Sequence, residues 1–118
     1  MYRAATILSV LAVLAAAAFA RTDVSITSSG FVPAKVFIQL NDDVRWTNND
    51  VIVHTVTSDT GVWNSGDIGP GQKFERVFST VGGFKYHCTY HPTFTGTVNV
   101  ANSPVEPASM GRVKALFR

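Results

Sequence analysis

Beyond residue 20 the chain alternates apolar and polar side chains in short runs, and nowhere shows a useful stretch at helical spacing. Val24 and Ile26 alternate with Asp23, Ser25 and Thr27; Val36, Ile38 and Leu40 with Lys35, Phe37 and Gln39; Val44 and Trp46 with Arg45 and Thr47. Further runs rich in β-branched and aromatic residues cover 52–57, 72–78, 83–88 and 96–100. A period of two places one set of side chains on one face of a strand, so each run reads as a half-buried strand. The breaks carry turn chemistry: Ser29-Gly30, Asn41-Asp42, Asn48-Asn49-Asp50, Asp59-Thr60-Gly61, Gly69-Pro70-Gly71 and Gly82-Gly83. About seven to eight short strands at this spacing predict an all-β, antiparallel sandwich or barrel. Trp46, Phe74, Phe78, Phe84 and Tyr86 are expected in its core, and Trp63, in a turn-rich stretch, near its surface.

The two ends read differently. Arg3 precedes an alanine-rich apolar run over residues 4–20 that closes Ala18-Phe19-Ala20. A charged start, a short apolar stretch and a small-x-small ending predict a cleaved signal peptide over 1–20, and so an exported, periplasmic or extracellular protein with no stable membrane insertion after cleavage. From Ala101 the pattern stops, and Asn102, Ser103, Pro104, Pro107 and Ser109 predict a flexible tail over 101–118. The domain is thus expected at 21–100.

Charge narrows the function classes. Residues 21–100 carry six basic and seven acidic side chains, so the basic excess sits at the ends, including Arg112, Lys114 and Arg118. Nucleic-acid binding, which needs a basic face, is excluded as an expectation. Charged residues are only 15% and aromatics 11%, which argues against disorder.

Cys88 is the single cysteine, so no intramolecular disulfide can form. In an oxidising compartment a lone cysteine is a free thiol, an intermolecular bridge or a metal ligand. His91 follows Cys88 by three residues, and His54, expected on the strand over 52–57, could be brought beside that loop by a sandwich. One thiolate and two imidazoles form the trigonal set of blue-copper electron-transfer sites. His87, next to Cys88 on a strand, should face the other way. A Cys88–His91 thiol–imidazole nucleophile, and a metal-free sandwich, are the rival readings.

The chain resembles a small cupredoxin of the plastocyanin and amicyanin type. The resemblance rests on Val44-Arg45-Trp46-Thr47-Asn48-Asn49-Asp50, His54-Thr55-Val56, Asn64-Ser65-Gly66, Gly69-Pro70-Gly71, and above all the stretch from Tyr86-His87-Cys88 through His91-Pro92 to Gly96-Thr97-Val98. It covers about residues 23–100. It implies a Greek-key sandwich, one type 1 copper, single-electron transfer with redox protein partners, and no enzymatic activity; a monomer is expected. His54, Cys88 and His91 match the equatorial ligands, and His91 the electron port. The family's axial methionine is absent: in short-loop members it falls three residues after the second histidine, where Phe94 stands. The axis is then left to Phe94 as a non-coordinating lid, to the Val53 carbonyl, or to Met110 folding back from the tail. A copper-binding or storage protein without redox cycling is the alternative. Thr55 replaces the asparagine that in many members pins the cysteine loop, and retains one hydroxyl for that task.

Overall fold

A computed structural model describes residues 20–102. The expected signal peptide, apart from Ala20, and the tail from Ser103 onward, with Met110 and its basic residues, lie outside the described residues. Among the described residues eight strands form: β1 Arg21–Thr27, β2 Gly30–Val32, β3 Lys35–Gln39, β4 Asp43–Asn48, β5 Thr57–Ser58, β6 Lys73–Val77, β7 Gly82–His87 and β8 Thr95–Ala101. They make two four-stranded sheets, ordered β2-β1-β4-β6 and β3-β8-β7-β5. Among the described residues no helix is long and apolar enough to cross a membrane.

The all-β expectation holds, but the antiparallel one needs correction. β1 pairs with β4, and β3 with β8, in parallel. Parallel neighbours need a crossover of a dozen or more residues. Here residues 28–42 supply one: β2 turns back on β1, and β3 joins the other sheet before β4 returns. Alternation has the same period in either direction, so it carries no information about strand polarity.

The alternating positions become the core. Val24 and Ile26 of β1, Val36 and Ile38 of β3, Val44 and Trp46 of β4 and Val98 and Val100 of β8 are buried. Trp46 is at the centre, with ring centroids 5.4 Å from Tyr86, 5.7 Å from Phe74 and 6.3 Å from Trp63. Burying a side chain of this kind contributes roughly 1.5–3 kcal/mol. Trp63 is therefore core, not surface. Its loop backbone runs outside, closed by the Ser58 N–H to the Trp63 carbonyl (3.0 Å) and by Ser58 Oγ, which accepts from the Thr60 and Val62 N–H groups. The indole folds inward because its large apolar area gains more from burial than the turn residues around it lose.

Residues 52–57 do not form the expected strand. Only His54 bridges, to Ile68, before the two-residue β5. The backbone groups that a ladder would use are taken by side chains. Asn48 Nδ2 donates to the Ile52 carbonyl, and Asp50 Oδ1 accepts the Val51 N–H. The Val56 N–H donates to Ser65 Oγ.

Candidate metal centre

The site lies at the end of the sandwich where β4 and β7 finish and β8 begins. Along β7 the inward side of the period runs Phe84, Tyr86 and, one residue past the strand, Cys88, which is buried. His87 faces the other way, its Nδ1 2.6 Å from Asp59 Oδ1, as strand alternation requires. Residues 88–94 then close into a compact loop. The His91 N–H donates to the Cys88 carbonyl (3.2 Å), the Phe94 N–H to the His91 carbonyl (2.8 Å), and the Cys88 N–H to the Phe94 carbonyl (3.0 Å). Pro92 adds a fixed φ inside this loop.

His54 reaches the same point from the irregular segment. Its main chain exchanges two hydrogen bonds with Ile68, N–H to carbonyl at 3.1 and 2.8 Å. Its ring is fully buried, with Nδ1 3.5 Å from Cys88 Sγ, while His91 Nδ1 lies 3.8 Å from the same sulfur. The three candidate donor atoms all fall within 4.8 Å of one another. Bonds of about 2.0 Å to nitrogen and about 2.3 Å to sulfur, spread at 120°, would separate nitrogen from sulfur by about 3.7 Å. The two nitrogen–sulfur separations, 3.5 and 3.8 Å, match that spacing, so each imidazole stands where it could share one ion with the sulfur.

Phe94 lies against both imidazoles, its ring stacked on His54 at 5.7 Å and on His91 at 5.1 Å. Val53, half-buried, directly precedes His54. No methionine lies among the described residues.

The surroundings favour a thiolate. Burial pushes the Cys88 thiol up, but the Thr55 N–H on its sulfur (3.4 Å) and the imidazoles of His91 and His54 outweigh it and bring the pKa down to about 6. Burial likewise pulls His54 down, and Asp50 and Cys88 reverse the sign and raise it. Thr55 performs the pinning that its position implied: its Oγ1 accepts the Thr89 N–H at 2.8 Å and meets the Thr57 and Thr89 hydroxyls at 2.9 and 3.2 Å.

Two participants escape the motif reading. Asp50 Oδ2 lies 2.9 Å from His54 Nε2, and buried Asn48 holds the turn that carries Asp50. Both lie in the Val44–Asp50 stretch that carries part of the family resemblance, but that stretch reads as turn chemistry and gives neither residue a role at the site.

Two sheets closed over an aromatic core, with one thiol and two imidazoles gathered at one end, define a cupredoxin-type sandwich. The chain belongs to the cupredoxin-like domain family, which it matches over residues 3–100. It is 30% identical over 82 residues to amicyanin from Paracoccus denitrificans, covering 65% of this chain and 63% of that protein. It is 32% identical over 84 residues to amicyanin-alpha from Methylorubrum extorquens, covering 67% and 71%. The chain thus spans just under two thirds of the first relative's length. Among solved structures it is similar to a purple cupredoxin from Nitrosopumilus maritimus, with a TM-score of 0.64 and 29% identity over 68% of this chain and 99% of that one. A Cu(I) form of an amicyanin variant gives a TM-score of 0.64 at 26% identity, covering 68% and 81%. A copper-containing nitrite reductase from Thermus scotoductus SA-01, at 19% identity and a TM-score of 0.66 over 72% of this chain and 23% of that one, shares the fold alone.

Proposed function

We propose that this protein is an exported one-electron carrier that holds a single copper through His54 Nδ1, Cys88 Sγ and His91 Nδ1, without the family's axial methionine. The observation that carries the reading is the convergence of those three donor atoms within 4.8 Å around a buried sulfur. Copper, when bound, supplies the reversible gain and loss of one electron.

The chain's own residues do the rest. The Thr55 N–H, 3.4 Å from the sulfur, favours Cys88 as a thiolate. The closed 88–94 loop and the His54–Ile68 bridge fix the donors so that little rearranges between oxidation states. Phe94 offers no lone pair. Stacked on both imidazoles, Phe94 would cover an ion held by them without coordinating it, and the Val53 carbonyl, next to His54 in the chain, would be the candidate further donor. Loss of a weak thioether donor disfavours Cu(II) and raises the potential. His91, half-buried, is the electron port, and the ligand-bearing segments also expose Val51, Ile52 and Tyr90. Contact with a redox protein there would be brief and small, between monomers. Arg3, the apolar run and the Ala-Phe-Ala ending support export.

An optical and electron paramagnetic resonance spectrum of the copper-loaded protein, with voltammetry, tests this. Intense thiolate-to-copper charge transfer, lost in Cys88→Ser, is expected. Colour that survives the substitution would remove Cys88 from the ligand set. Phe94→Met should lower the potential; an unchanged or higher value would take residue 94 off the axis. A coloured protein without reversible voltammetry would favour copper holding without electron transfer.

A further inference from the structure

We propose that Asp50 is a positioning residue of the metal site: its carboxylate fixes His54 in the tautomer that presents Nδ1 to the ion, and its charge favours the higher oxidation state. The potential part of this inference rests on the copper reading above; the tautomer part does not.

The His54 ring is fully buried, and a buried ring N–H needs a partner. The partner at Nε2 is Asp50 Oδ2, at 2.9 Å. A carboxylate can only accept, so it selects the Nε2–H form of the neutral ring and leaves the lone pair on Nδ1. That is the nitrogen facing Cys88 Sγ at 3.5 Å. An imidazole that donates to a carboxylate is also a more basic ligand, and a more basic ligand gains more with a doubly charged ion than with a singly charged one.

Asp50 is built to stay where it is. Its side chain is only 11% exposed. Its second oxygen accepts the Val51 N–H at 2.7 Å, and its own N–H donates to Asn48 Oδ1 at 2.9 Å. Asn48 is fully buried and spends both Nδ2 donors on the Ile52 and Ile68 carbonyls, at 2.8 and 2.9 Å. Ile68 is the residue that also holds the His54 main chain. One buried asparagine thus ties the carboxylate and the histidine it orients to the same frame. A turn cap alone would need only the Val51 contact at Oδ1; the aim of Oδ2 at a buried imidazole is what a cap leaves unexplained.

Two variants separate charge from structure. Asp50→Asn keeps size and an acceptor oxygen but removes the charge; Asp50→Ala removes both. In Cys88→Ser apoprotein, which has no thiolate facing Nδ1, nitrogen NMR of the neutral His54 ring should show the Nε2–H tautomer with Asp50 or Asp50→Asn, and a mixed or inverted population with Asp50→Ala. Zinc ion, used as a redox-silent probe, should bind 10–100-fold more weakly to Asp50→Ala. In copper-loaded protein, Asp50→Asn should raise the potential, by about 59 mV for each tenfold preferential loss of Cu(II) over Cu(I) affinity. An unchanged His54 tautomer and zinc affinity in Asp50→Ala, or an unchanged or lower potential in Asp50→Asn, overturns the proposal. Absence of charge-transfer colour in the wild type would overturn the copper reading instead, and leave the tautomer and zinc measurements to decide Asp50.

Discussion

Asn48→Ala removes a side chain that is fully buried and makes three hydrogen bonds: to the Ile52 carbonyl at 2.8 Å, to the Ile68 carbonyl at 2.9 Å, and from the Asp50 N–H at 2.9 Å. Each is worth about 1 kcal/mol net. The Ile68 carbonyl keeps the His54 N–H at 3.1 Å, so its loss falls at the low end. The Ile52 carbonyl and the Asp50 N–H are only part-buried, and water recovers some of their bonding. The void left by the carboxamide adds up to about 1 kcal/mol. The total is about 3 kcal/mol. For a domain of this size 1 kcal/mol lowers Tm by about 4–8 °C, so the melt should fall by about 12–24 °C. Urea unfolding of the apoprotein, with an unchanged m-value, measures it directly. A loss below about 1 kcal/mol would refute the view that Asn48 organises the His54 segment.

Thr55→Val keeps the shape but strips the acceptor from the Thr89 N–H, and should cost about 1 kcal/mol in urea unfolding, whereas Thr55→Ser should stay near wild type. The Cys88 thiolate of the apoprotein should titrate with a midpoint of about 6 by ultraviolet absorbance; a midpoint above about 8, nearer a free thiol, would contradict the contacts on its sulfur. Because that pKa lies below the ordinary 9.0, the contribution of Cys88 to apoprotein stability is complete above pH 9.0 and is lost as pH falls through about 6. Gly96→Ala would set a methyl against the Tyr86 phenol and 2.9 Å from the Ala34 carbonyl oxygen, and should destabilise by about 2 kcal/mol or more in the same unfolding assay.

Much of the site is legible before folding because its most informative part is local. Cys88 and His91 are three apart, and the β7 alternation sends Tyr86 and Cys88 inward and His87 outward. His54 could be named only through its company. The strand expected around it is absent, since Asn48 and Ser65 occupy backbone groups of Ile52 and Val56 that a strand would pair. The family resemblance puts Phe94 where an axial methionine is expected, but its stacking on two imidazoles is a product of the closed 88–94 loop.

Period-two alternation, turn residues at regular intervals and one Cys-x-x-His loop determined the all-β class, the inward parity of most strands and two of the three candidate ligands. These are properties of neighbouring residues, and short-range sterics write them into the chain. Strand polarity, the inward turn of Trp63 and the Asn48–Asp50–His54 support were decided only by tertiary structure. Each depends on which distant backbone group or ring is nearest once the sheets close, from the parallel return of β4 onto β1 to the carboxylate that meets a buried imidazole.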